Sequence, residues 1–184
     1  MNQNQRKRRS PLYAMVTAAA LSLLLVGPAL ASDVTTATVT GGSLAITIPV
    51  ADVFAAKVVI GVAQTTTAPL GVFSVSDLRG TGVGWHVTAQ ATQFTGVSHN
   101  LAVSSLSMSA RTVTSPLTLS PDPTGLGGVS TIDAVAAVQI ASAALNQGMG
   151  IYDFSATTLT LTLPAAVYAD TYSSTVTLSA ITAP

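Results

Sequence analysis

The chain has 184 residues, no cysteine and only 8% charged residues, which fits about one domain and excludes a disulfide framework or a thiolate metal site. Its formal charge of +0 depends on four basic residues, Arg6, Lys7, Arg8 and Arg9, at the N-terminus; beyond them only Lys57, Arg79 and Arg111 oppose seven aspartates and no glutamate, a balance near −4. A basic footprint for nucleic acid is therefore absent, and solubility must come from the many threonine hydroxyls rather than from ions.

In chain order, residues 6–9 form a positive n-region and Ala14 to Leu30 an apolar run with its core at Leu21 to Val26. Ala29-Leu30-Ala31 supplies a small-x-small cleavage motif before Ser32. This is the layout of a cleaved secretory signal peptide over 1–31, followed by a single exported domain over 32–184. No second stretch of about 20 apolar residues follows, so no membrane span is expected after cleavage. No hydrophobic tail closes the sequence, and no cysteine follows the leader to carry lipid. Any attachment to a surface is expected to be non-covalent.

The exported part reads as strands and turns. Leu44, Ile46, Ile48 and Val50 alternate with Ala45, Thr47 and Pro49. Val72 to Leu78 is β-like. Val83, Trp85, Val87 and Ala89 alternate with Gly84, His86 and Thr88. Leu159, Leu161 and Leu163 alternate with Thr158, Thr160 and Thr162. Tyr172, Ser174, Val176, Leu178 and Ala180 alternate with Ser173, Thr175, Thr177 and Ser179. Period two with threonine on one side predicts strands with one wet face. Turn signals separate them at Gly41-Gly42, Arg79 to Gly84, Ser120 to Gly125 and Gly148 to Gly150. The Ala-rich stretch Ile132 to Asn146 is the one helix-like window of the exported part, and β-branched residues within it favour a strand plus a loop. The expected fold is an all-β, antiparallel β-sandwich.

Residues suited to catalysis are sparse. His86 is expected on the outer face of its strand and His99 in a loop, thirteen positions apart. Without glutamate, and with Asp77, Asp122, Asp133, Asp153 and Asp170 scattered at turns and strand ends, neither a carboxylate pair nor a calcium loop is visible. Asp122 reads as a turn cap. No enzyme, cofactor or metal is predicted. Asp77 and Arg79 stand two apart at a strand end, placed to pair with each other, to fix the turn that follows, or to meet a ligand. Trp85, the sole tryptophan, is either a core residue or an aromatic platform for a sugar. Tyr152, Tyr168 and Tyr172 lie in the last third, where their hydroxyls could reach backbone or glycan hydroxyls.

These features resemble, in their order, the WxL domain family of surface proteins from Gram-positive bacteria. The proximal part runs Phe73-Ser-Val-Ser-Asp77-Leu-Arg79-Gly-Thr-Gly-Val-Gly84-Trp85-His86-Val87, with Phe94 beyond it; Val87 replaces the family's leucine. The distal part runs Tyr172-Ser-Ser-Thr-Val176-Thr177-Leu178-Ser-Ala180, with Leu178 where the family has a second tryptophan and Ala180 where it has a final leucine. The resemblance covers roughly 44–182. It implies a secreted, non-enzymatic surface protein held non-covalently at the cell wall through peptidoglycan or another wall glycan, with a link to adhesion and to other secreted surface proteins. Trp85, Tyr172, Tyr168, Asp77 and Arg79 are its candidate binding residues. The shared face of Trp85 with Val87, and of Leu178 with Val176, favours a core role for both motifs. The alternative function is a structural or assembly subunit that pairs through sheet edges.

Overall fold

A computed structural model describes residues 35–50 and 53–183. The expected leader, 1–31, lies outside the described residues. All the strands named below belong to one compact unit, which begins at Val39.

Among the described residues twelve strands form in chain order: β1 (Leu44–Thr47), β2 (Gln64–Leu70), β3 (Phe73–Asp77), β4 (Trp85–Ala91), β5 (Leu106–Met108), β6 (Val113–Thr118), β7 (Gly125–Leu126), β8 (Ser130–Thr131), β9 (Val138–Ala143), β10 (Gly150–Phe154), β11 (Thr157–Leu163) and β12 (Val176–Thr182). Every pairing is antiparallel. They make three four-stranded sheets, ordered β1-β3-β10-β6, β2-β11-β5-β8 and β12-β4-β9-β7. The all-β, antiparallel expectation therefore holds.

One buried cluster draws side chains from all three sheets, with Trp85, Tyr152, Phe73 and Phe154 its largest fully buried members. Phe73 and Phe154 face each other across β3 and β10 and stack at 4.5 Å. Trp85 of β4 meets Phe154 edge-on at 6.2 Å and Tyr152 at 6.3 Å, joining the first and third sheets. The outward residues of β11, β4 and β12 are largely threonine, serine and glutamine, so the alternation that predicted these strands also decided their faces.

Three strand predictions need adjustment. The strand at Trp85 does not reach back to Val83, because Gly84 adopts φ +75 and interrupts the alternation; a Cβ there would stand 2.4 Å from the Ala143 carbonyl oxygen. The last strand starts at Val176, with Tyr172 outside it and only an isolated bridge at Ser173. The first stops at Thr47, short of Ile48 and Val50. In 132–146 the strand reading is the observed one. Ala143 sits opposite Trp85 in the register, and a bulge between the Ala141 and Gln139 pairings lets Ile140 and Ala141 both turn inward. Of the alanines that suggest a helix, Ala143 leaves room for the indole opposite it and Ala141 is buried opposite Val87.

Arg111 is a buried cation with no carboxylate paired to it among the described residues. Its guanidinium lies 4.9 Å from the centre of the Phe73 ring and donates toward the Met108 sulfur, while Nη1 has no hydrogen-bond partner among the described residues. Burial lowers its pKa to about 10.

Candidate functional site

The proximal motif builds a structural clasp. The Asp77 carboxylate is buried and receives Arg79 in two parallel bonds, Nε to Oδ1 at 2.8 Å and Nη2 to Oδ2 at 2.9 Å. The same Nη2 donates to the Gly84 carbonyl at 2.8 Å, and Nη1 donates to Thr182 Oγ1 at 2.7 Å. Arg79 thus ties the end of β3 to the entry of β4 and the end of β12. The pair and the turn predicted from the sequence both form. The hydrogen bond to Asp77 raises the Arg79 pKa, against a smaller opposing effect of burial.

Trp85 is 0% exposed. Its indole N–H donates to the Gly148 carbonyl at 2.9 Å, while Gly148 N–H donates to the Pro121 carbonyl at 2.9 Å. Tyr152 reinforces the same corner, with its hydroxyl 2.9 Å from the Met149 carbonyl and 3.2 Å from that of Ser120. Its burial raises the Tyr152 pKa above the ordinary value. Of the two readings of Trp85, the core residue is the one the fold contains. Neither Trp85 nor Asp77 has a surface to offer a ligand, which corrects their place among the binding residues. Leu178 is likewise turned to the core, opposite Ala89.

Tyr168 and Tyr172 have a different setting. Tyr168 is 62% exposed, and its ring stacks on the imidazole of His99 at 3.8 Å and 10°. Tyr172 is half-buried and donates its hydroxyl to the Tyr168 carbonyl at 3.0 Å. Asp170, between them, accepts the N–H of Ser98 at 3.1 Å and of Thr171 at 2.7 Å. The bond from Ser98, followed by those from neighbouring backbone, holds its carboxyl below the usual carboxylate range. Burial and then the Asp170 charge raise the Tyr172 hydroxyl. Thr95 bridges both Asn100 and Ser173, so the loop carrying His99 is fixed to the segment carrying both tyrosines.

These tyrosines stand at the mouth of a cavity of about 800 Å³. Its wall on one side is the inward face of β11 and β5, through Leu159, Leu161, Leu163 and Leu106. On the other side it is the irregular segment Val53 to Val59, anchored by Phe54 edge-on to Phe94 at 6.0 Å. Sequence reasoning missed this segment as part of a site. Its signal was present: an apolar run, Val58-Val59-Ile60 among others, with neither strand alternation nor a buried face to account for it. His86 lies on the outer face of β4, as expected, and His99 is in a loop. Among the described residues, no three His, Asp or Glu side chains gather as metal ligands. No helix among the described residues is long and apolar enough to cross a membrane.

No curated protein and no solved structure matches the chain. A family profile does, over residues 34–184, and its description is a WxL domain, surface cell wall-binding. WxL domains are non-catalytic, and the match spans the proximal and distal motifs and the cavity. The chain belongs to the WxL domain family of surface, cell wall-binding proteins.

Proposed function

We propose that this protein is exported, loses residues 1–31 after Ala31, and is then held non-covalently at the cell wall by peptidoglycan through the mouth formed by Tyr168, Tyr172 and Asp170. On this reading residues 32–184 form one domain whose sheets pack as a sandwich, and adhesion or contact with other secreted surface proteins follows from its place at the wall. The family supports wall association. The observation that carries the choice of site is Tyr168. It is an exposed aromatic ring braced from one side by His99, and so pre-organised to stack on a sugar without ordering a free side chain. Arg79 supports the site only indirectly, by holding the strand ends.

Co-sedimentation of the purified protein with peptidoglycan tests this. The wild type is expected in the pellet at modest salt, and Tyr168→Ala should weaken retention about 10-fold, the loss of one aromatic contact. A wild type that stays in the supernatant would sink the reading. Tyr168→Ala binding as well as wild type would remove the tyrosine mouth from it.

A further inference from the structure

We infer that the 800 Å³ cavity behind the tyrosine mouth is a binding site for a single anionic amphiphile, its aliphatic chain inside and its acidic head at Lys57. This goes beyond wall attachment, since neither glycan nor peptide chemistry calls for an apolar interior.

The volume lies within the range of small-molecule sites, roughly 300–1,000 Å³. The floor is hydrocarbon, Leu106, Leu159, Leu161 and Phe94 with Leu163 and Val176 beside them, and the apolar surface left open to a ligand comes mainly from the exposed Val53, Val58 and Val59. Against the hydrocarbon part of the lining a sugar hydroxyl finds no partner, whereas an alkyl chain loses no hydrogen bonds there. The same lining also carries polar groups, among them Lys57, Thr66, Asp170 and Ser174.

Charge selects the head. Of the three cations among the described residues, Arg79 is bound to Asp77 and Arg111 is buried; Lys57 alone is exposed, and it lines this cavity. Asp170 also lines this cavity; its carboxylate accepts two backbone N–H groups, and an acidic head is directed to Lys57 rather than to it.

The outer wall can give way to admit a chain. Residues 53–63 belong to no strand, and their polar anchors among the described residues are side chains: Thr66 Oγ1 donates to the Ala55 carbonyl at 2.9 Å, and Gln64 Nε2 to that of Val58 at 2.8 Å. No backbone–backbone hydrogen bond holds this segment among the described residues. Displacing it costs far less than opening a ladder.

The test uses cis-parinaric acid, a fluorescent fatty acid, with the purified protein. Saturable, one-site enhancement, displaced by palmitate, is expected. Ala56→Trp and Val167→Trp, which fill the cavity from two sides, should each weaken binding at least 10-fold while thermal unfolding stays cooperative. Lys57→Glu should weaken palmitate but not hexadecanol. No saturable binding, or two filled variants that bind like wild type, would overturn the site. Equal loss of palmitate and hexadecanol in Lys57→Glu would overturn the head assignment. Binding to phosphatidylglycerol vesicles with no binding of the monomeric probe would overturn the cavity in favour of a bilayer surface. Peptidoglycan co-sedimentation of the filled variants should match wild type, so failure here is distinguishable from failure of the wall-binding reading.

Discussion

Gly148 sets the depth at which Trp85 can sit. Its φ of +71 already disfavours any L side chain, and a Cβ there would stand 2.4 Å from the Ala143 Cβ and 2.6 Å from the indole nitrogen. Gly148→Ala must therefore strain the loop, push the indole, or break the 2.9 Å bond to its carbonyl. The expected cost is about 3 kcal/mol, from overpacking combined with a left-handed backbone. Urea unfolding followed by the fluorescence of Trp85 measures it; a loss below about 1 kcal/mol would mean that the corner is softer than its contacts imply. The importance of this glycine was only half legible. The turn at Gly148 to Gly150 reads from the sequence, but its contact with Trp85 spans 63 positions and no local pattern encodes it. The same holds for Tyr168. Its type suggests a ligand surface, yet the brace from His99 depends on a loop being fixed by Thr95 to a distant segment.

At the scale of elements, Asp77 and Arg79 act as a clasp on three strand ends. Asp77→Asn keeps the shape and removes the charge, leaving a guanidinium that is 15% exposed beside a neutral amide. Breaking such a pair costs about 3–5 kcal/mol when both partners are deeply buried, and partial exposure of Arg79 brings the expectation to about 2 kcal/mol. The pH dependence follows from the raised Arg79 pKa. Stability from a raised cation is complete below its ordinary, unfolded value and disappears only as pH rises through the higher folded value. The loss in Asp77→Asn, read by thermal unfolding, should therefore stay flat between about pH 6 and 9; a steep slope there would assign the clasp to another titrating group. Elements with clean alternation, such as β11 and β4, were legible because burial on one face imposes period two. Those missed have physical reasons. Pro69 lies within β2 and Pro116 within β6, and proline argues against a strand until its edge position is known. β7 and β8 are two residues each, too short to carry a period. β10 begins at Gly150, directly after a turn signal.

At the scale of the whole molecule, three open sheets leave several edges on a chain with little charge, the condition under which edge-to-edge pairing is a hazard. Its defences are visible. β2 carries Pro69 on an edge strand. β6 carries Pro116 at the bulge opposite Tyr152, where its pairing with β10 shifts register. β7 and β8, edges of the other two sheets, are too short to template a partner, and β1 lies beside β12. Assembly into a filament through sheet edges, the alternative that the threonine-rich sequence suggested, would have to overcome all of these. The purified protein is accordingly expected to sediment as a monomer across a wide concentration range. The double variant Pro69→Val, Pro116→Val restores two N–H donors and two β-formers at exposed edges, and it should self-associate as concentration rises. Sedimentation velocity on both proteins decides between the two cases. Wild-type filaments would show that the edges are functional, and a double variant as monomeric as wild type would show that proline is not what keeps them closed.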